Sequence, residues 1–302
     1  MSYKLGSVNG RAVLVKMNNF YDLEEISEGS LSHDSTDALF DLEKLDELNK
    51  KLDSFESSGN LEGINFDTPV SSPKNCYAIG LNYRNHAEEA GMTIPEVPMV
   101  FTKHTSCLVG PTSEVQMRSD YVDYEAELVV VIGLSGKDIS KKDAWNHVAG
   151  LCVGQDISDR PAQFTSTPPM FNLGKSFDTF GPMGPFLVSP ELLEDKENLK
   201  IECSINDEIR QEDNTSNLIF SISDIIAYLS EIVSLKTGDV IFTGTPGGVG
   251  ISQGKFLKDG DIITTSIEGL GTLTNKCVRI SNHSRAEWLP DMMKSLIEKT
   301  KE

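Results

Sequence analysis

Cysteine is scarce and scattered. The chain has five in 302 residues, at Cys76, Cys107, Cys152, Cys203 and Cys277, with no C-x-x-C pair. An odd, dispersed set in a chain of this length fits reduced thiols and excludes a thiolate metal site. No apolar stretch approaches the ~18 residues of a membrane span. The opening stretch MSYKLGSVNG lacks an apolar h-region, so a cytoplasmic protein is expected. Basic residues are outnumbered, 27 Lys and Arg against 46 Asp and Glu, for a net charge of −19. A balance that acidic argues against nucleic acid and anionic membranes as partners. There is no internal repeat and no low-complexity block.

What is present is an ordinary globular composition, 38% hydrophobic and 24% charged. A chain of this length buries roughly three quarters of its unfolded surface, and a large domain with a smaller companion is the natural expectation. Residues 1–65 read as a small N-terminal α/β domain. Within it Arg11 to Met17 reads as a strand, and Asp41 to Phe55 as an amphipathic helix with Leu42, Leu45, Leu48 and Leu52 at helical spacing. Ser57 to Asn75 is rich in turn formers and reads as a linker. From Cys76 onward, short apolar runs recur between Gly, Pro and Asp, which predicts a mostly β unit over 74–282. Ser221 to Leu235 is its clearest helix, with Ser223 as the expected cap. Residues 283–302 read as a terminal helix or arm.

The most informative stretch is DYVDYEAELVVVIG, Asp120 to Gly133. Leu128 to Ile132 reads as a buried strand, and Glu125 and Glu127 stand one residue apart at its mouth. In a strand, residues i and i+2 face the same side, so two carboxylates crowd one patch beside a core. Their repulsion and desolvation need an offset. A second apolar run, HVAGLCVG, ends close by at Asp156. Each acid alone also fits a solvated strand mouth or an Asx turn. Together the three make an all-oxygen site for a hard divalent cation, Mg²⁺, Mn²⁺ or Ca²⁺, rather than Zn²⁺ or Cu²⁺.

Further polar groups stand on predicted loops. Arg160 and Gln163 lie three apart, which one helical turn would bring together. His86 and Glu89 have the same spacing, so the carboxylate could hold the imidazole as a base, on a stretch that Gly91, Pro95 and Pro98 mark as a lid. Lys175 sits in Gly174–Lys175–Ser176. A phosphate loop there is excluded, because Pro169 stands where such a loop needs its upstream glycine. Phe242 to Gly250, FTGTPGGVG, offers backbone N–H groups and the hydroxyls of Thr243 and Thr245 to a carboxylate.

The strings NYRNHAEE, DYEAELVVVIG, GQDISDR, GKSFDTFGP, NDEIRQE and DVIFTGTPGGVG fall in one order between about Lys74 and Ile280. On these motifs the chain resembles the fumarylacetoacetate hydrolase family. The resemblance implies an α+β, mostly β fold, a mixed β-roll of twisted sheets, usually dimeric. It implies Mg²⁺ or Mn²⁺ on Glu125, Glu127 and Asp156, and a water-activating dyad of His86 and Glu89. By the same resemblance Arg160, Gln163 and Lys175 hold substrate, and Thr245 contacts its carboxylate. The sequence departs from several acylpyruvate hydrolases at Leu81, Pro161 and Phe171, where they carry Arg, an acid and Trp.

The chemistry that follows is that of a small anionic 2-oxo acid bound through its carboxylate and keto oxygens, with a metal and Lys175 stabilising an enolate. C–C hydrolysis of an acylpyruvate or diketo acid, sugar-derived ones included, is the first expectation, since the full dyad is present. Isomerisation or tautomerisation, or decarboxylation of an oxaloacetate-type acid, are the alternatives. A non-catalytic binding protein with the same fold is a minor one.

Overall fold

The computed structural model describes residues 1–291, 294, 295 and 298. It is organised around one large mixed sheet. The first strands are β1 (Lys4–Val8), β2 (Arg11–Lys16), β3 (Asn19–Asp22) and β4 (Gly59–Asn60), with the short helices α1 (Leu23–Ile26) and α2 (Ser35–Ala38) and the amphipathic α3 (Leu42–Lys50) between β3 and β4. They are followed by β5 (Cys76–Gly80), helix α4 (Arg84–Glu89), β6 (Met99–Lys103), β7 (Leu108–Val109), β8 (Val115–Met117), β9 (Val122–Asp123) and β10 (Ala126–Ile132). Next come β11 (Val148–Gln155), β12 (Ser158–Asp159), α5 (Arg160–Phe164), α6 (Phe171–Gly174) and β13 (Gly181–Val188). The chain closes with β14 (Lys200–Ile205), β15 (Glu208–Asn214), α7 (Ile222–Ile232), β16 (Val240–Phe242), α8 (Gly250–Gln253), β17 (Ile262–Ile267) and β18 (Gly271–Arg279).

The large sheet runs β4-β3-β2-β1-β13-β11-β10-β16-β5-β6, and a second sheet runs β15-β14-β17-β18-β8. The fold is therefore mostly β, with twisted mixed sheets, as the pattern of short apolar runs predicts. Residues 1–65 do not stand apart from the large sheet, because β1 pairs antiparallel with β13. The reason lies in β10. Every one of its seven residues is buried, since both faces of the sheet are covered. Leu128, Val130 and Ile132 enter the core beneath the second sheet. Val129 and Val131 enter a core shared with Tyr3, Leu5 and the leucines of α3. The N-terminal segment thus supplies the lid of one sheet face.

Helix α7 begins two residues earlier than the expected cap implies. Its cap is Ser221, not Ser223, because Ser221 and Asp224 form a reciprocal capping box that Ser223 has no acid to make. Part of the expected terminal helix or arm, residues 292, 293, 296, 297 and 299–302, lies outside the described residues. No described helix is long and apolar enough to cross a membrane.

Candidate metal centre and active site

The register of β10 against β11 builds the site. Ala126 pairs with Gln155 and Glu127 with Gly154. Alternation then puts Glu125, Glu127 and, one residue past β11, Asp156 on the same face. All three are buried, and each offers an oxygen within 4.8 Å of the others. Two buried glutamines fix the strand mouth. Gln155 Oε1 accepts the Glu125 N–H at 2.9 Å, and Gln211 Oε1, from β15 of the second sheet, accepts the Ala126 N–H at 2.9 Å. The Asp156 N–H in turn donates to the Glu125 carbonyl at 2.9 Å.

Three cations face these acids. Lys175 Nζ donates to Glu125 Oε2 at 2.6 Å and to Asp156 Oδ2 at 2.7 Å. Lys103 Nζ, at the inner end of β6, donates to Asp156 Oδ1 at 2.6 Å and to the carbonyls of Lys175 and Phe180. Arg160 donates to Asp123 at 2.8 Å, to Gln163 Oε1 at 2.8 Å and to Glu125 Oε1 at 2.7 Å. Burial alone would depress the Lys103 ammonium, but Asp156 reverses the effect and holds it above its ordinary value.

Four carboxylates, Asp123, Glu125, Glu127 and Asp156, thus meet three cations, Lys103, Arg160 and Lys175. Glu127 is the one left over. Among the described residues its carboxylate accepts one hydrogen bond, from the Gly244 N–H at 2.7 Å. Burial, then the charges of Asp156 and Glu125, push its carboxyl well above the ordinary range. Burial acts on Glu125 in the same sense, but Lys175 and Arg160 overcome it and bring that group down to about 2. An uncompensated buried acid among oxygen donors is what a hard divalent cation would satisfy, so the residues present fit Mg²⁺ or Mn²⁺, and Ca²⁺ also suits such donors.

Helix α4 carries His86 and Glu89, and their Nδ1 and Oε1 atoms are 2.8 Å apart. The glycine-rich loop after β16 holds this helix in place. The Gly248 N–H donates to Glu89 Oε2 at 2.9 Å, and the Gly247 N–H to Asn85 Oδ1 at 3.1 Å. Gly248 has φ +99°, and a Cβ there would lie 2.1 Å from the Arg210 carbonyl, so the position admits glycine alone. The loop was expected to cradle a substrate carboxylate. Its N–H groups instead serve the protein's own acids: Gly244 serves Glu127, Gly248 serves Glu89 and Gly250 serves Asp123. Thr245 Oγ1 accepts from Gln211 Nε2 at 2.8 Å, and its hydroxyl donates to no described residue.

His86, Glu89, Glu125, Glu127, Arg160, Gln163, Lys175 and Thr245 line one cavity of about 420 Å³. Asp156 lies just behind that lining. The structure therefore gathers the expected site residues in one place, except Thr243, whose hydroxyl donates to the Leu128 carbonyl at 2.9 Å. Arg160 and Lys175 already donate to protein carboxylates, whereas Gln163 Nε2 makes no hydrogen bond to any described residue. Gly174 is required by packing, not by phosphate, because a Cβ there would meet the Gln163 backbone nitrogen at 2.7 Å. Sequence reasoning missed Lys103, Asp123, Gln155 and Gln211. Asp123 completes an acidic i, i+2, i+4 series with Glu125 and Glu127, which was a readable signal. Lys103 ends a strand whose alternate residues turn inward, a weaker one. The two glutamines carry no local signal.

The fold is that of an enzyme of mixed β-roll type, and its buried carboxylate cluster is of a kind that suits a divalent cation. The chain belongs to the fumarylacetoacetate hydrolase family: the fumarylacetoacetate (FAA) hydrolase C-terminal family matches residues 75–278. It is 43% identical over 219 residues to the human mitochondrial oxaloacetate tautomerase FAHD2A, covering 71% of this chain and 70% of that protein. A Mycobacterium smegmatis crystal structure of the HpcE type superposes with a TM-score of 0.86 at 39% identity, covering 92% of this chain and 100% of that one. Maleylpyruvate hydrolase from Sphingobium sp. SYK-6, solved with manganese and pyruvate, superposes with a TM-score of 0.77 at 27% identity, covering 91% of this chain and 99% of that one.

Proposed function

We propose that the chain is a divalent-metal-dependent tautomerase of a small anionic 2-oxo acid, interconverting its keto and enol forms. The observation that carries this reading is the His86–Glu89 pair, 2.8 Å apart, lining the same cavity as Glu125 and Glu127. Its Nδ1 engaged by Glu89, His86 presents Nε2 to the cavity as the free basic nitrogen. A cation on Glu125, Glu127 and Asp156 supplies positive charge at the 2-oxo oxygen and acidifies the neighbouring C3–H.

The proton balance is simple. His86 Nε2 takes the C3 proton, the C–H electrons form C2=C3, and the carbonyl pair moves to the 2-oxo oxygen. The His86 imidazolium then returns that proton to the 2-oxo oxygen, which gives the enol and leaves the imidazole neutral; the reverse sequence gives the keto acid. Glu89, fixed by Gly248, stabilises the imidazolium that His86 becomes. Gln163 Nε2 and the Thr245 hydroxyl, both with donors to spare, orient the carboxylate end. The buried Lys103–Asp156 pair holds the third ligand in place and keeps it from turning away.

C–C hydrolysis, the first expectation, needs the same dyad to activate water and remains the second reading. The human relative named a tautomerase is the more similar protein, at 43% identity against 27% for the maleylpyruvate hydrolase, and this favours proton transfer. The test is ultraviolet detection of enol ketonisation with Mg²⁺ or Mn²⁺, beside an assay of pyruvate release from an acylpyruvate. Metal-dependent ketonisation lost in His86→Ala supports the tautomerase. Pyruvate release outpacing ketonisation would replace it with the hydrolase.

A further inference from the structure

Gln211 stands behind the cavity rather than on it. It lies on β15, is 1% exposed and is not among the residues that line the cavity. Its amide is engaged at both ends. Oε1 accepts the Ala126 N–H at 2.9 Å, and Nε2 donates to Thr245 Oγ1 at 2.8 Å and to the Pro246 carbonyl at 2.9 Å. One side chain of the second sheet thus ties the mouth of β10, between Glu125 and Glu127, to the loop that carries Thr245.

The two backbone partners fix which way the amide points. The Ala126 N–H can only donate, so it faces the amide oxygen. The Pro246 carbonyl can only accept, so it faces the amide nitrogen. Nε2 then directs its other hydrogen to Thr245 Oγ1, and that oxygen is the acceptor. The Thr245 hydroxyl hydrogen is left over. It finds no acceptor among the described residues, although Thr245 is buried and lines the cavity. A buried hydroxyl hydrogen calls for a partner, and a ligand carboxylate in the cavity would supply one. A hydroxyl without the Gln211 bond could turn its hydrogen elsewhere and offer a lone pair to the ligand instead.

From this chain of bonds we infer that Gln211 is a positioning residue: it commits the Thr245 hydroxyl to donate to the carboxylate of the 2-oxo acid. It touches no ligand itself and acts through Thr245. The inference rests on the tautomerase reading, in which Thr245 orients the carboxylate end, and adds the residue that decides the direction of that bond.

The test is a double-substitution cycle on the full chain loaded with Mg²⁺, read by calorimetric titration with oxamate, an unreactive 2-oxo acid mimic. Thr245→Val removes the donor and should weaken oxamate about tenfold, as loss of a hydrogen bond to a charged group does. Gln211→Met releases the hydroxyl and should cost most of that factor, about five- to tenfold. In the Thr245→Val background, Gln211→Met should cost less than about twofold more. In the Thr245→Ser background, which keeps a hydroxyl, its cost should return. Ketonisation kinetics should show the Gln211→Met loss in KM more than in kcat, with Mg²⁺ affinity kept within a few-fold. If Gln211→Met melts too low to assay, Gln211→Asn, too short to span Ala126 and Thr245, takes its place in the cycle.

Costs that simply add in the double variant, unchanged oxamate affinity in Gln211→Met, a loss confined to kcat, or an equal loss of Mg²⁺ binding would each overturn the inference. All four leave the tautomerase reading standing. Failure of the parent chain to bind oxamate removes that reading and the inference with it.

Discussion

Glu125 and Glu127 stand two residues apart on one face of one strand end, yet their surroundings push them in opposite directions. Lys175 and Arg160 outweigh burial at Glu125 and hold it at about 2. At Glu127, burial, Asp156 and Glu125 all act in one sense and raise it. The pair is a charged acid beside an acid that wants either a proton or a cation.

Glu127→Gln separates these two roles. The amide keeps the shape and can still accept from the Gly244 N–H, but it removes the buried negative charge. The metal-free variant should melt no lower than the parent chain. Saturating Mg²⁺ should stabilise the parent by about 2.7 kcal/mol at 100 times Kd, and the variant hardly at all. Thermal melts of both proteins with and without Mg²⁺ check this.

The pH dependence of the metal-free protein follows from the same two groups. Glu127 binds its proton more tightly folded than unfolded, so stability falls as pH rises from the ordinary carboxylate value through the raised one. Glu125 does the reverse. Its contribution is complete above 4.5 and is lost as pH falls from there through about 2. Mg²⁺ must displace the Glu127 proton, so its affinity should rise with pH and binding should release protons. Denaturant melts across pH, with and without Mg²⁺, read both effects.

Lys103 is buried and its partner Asp156 has no exposure at all. Lys103→Met would leave part of that carboxylate uncompensated, at a cost of about 3–5 kcal/mol. Excess Mg²⁺ should recover a share of the loss. Urea melts in both conditions distinguish a packing defect, which Mg²⁺ would not relieve, from a charge defect, which it would.

His86→Ala and Glu89→Gln should each lower turnover by about 10²–10⁴ while leaving Mg²⁺ affinity within a few-fold. Neither residue is a ligand, and both sit on α4, outside the sheet that carries the acids. Steady-state kinetics of ketonisation with a parallel metal titration provides the check. An equal loss of metal binding would show that the dyad acts on the centre rather than on substrate.

Much of the centre was legible because it depends on local pattern. Strand alternation alone places Glu125 and Glu127 on one side, and an apolar run ending in Asp156 supplies the third ligand. Helical spacing brings His86 to Glu89. What escaped the sequence depends on pairings between distant segments. Gln211 reaches Ala126 across the two sheets, and Lys103 reaches Asp156 across 53 residues. The continuity of residues 1–65 with the large sheet rests on the β1–β13 pairing, which no local pattern announces. The glycine-rich loop was read as a cradle, correctly in chemistry, but the acids it holds are the protein's own.

The central claim is a divalent cation on Glu125, Glu127 and Asp156. Its most direct measurement is a Mn²⁺ titration of the metal-stripped chain, followed by electron paramagnetic resonance, beside Glu127→Gln and Asp156→Asn. One tight ion per chain, lost in both variants and displaced by Mg²⁺, is the predicted result. Absence of tight Mn²⁺ binding to the parent chain, or binding that survives both substitutions, would contradict it.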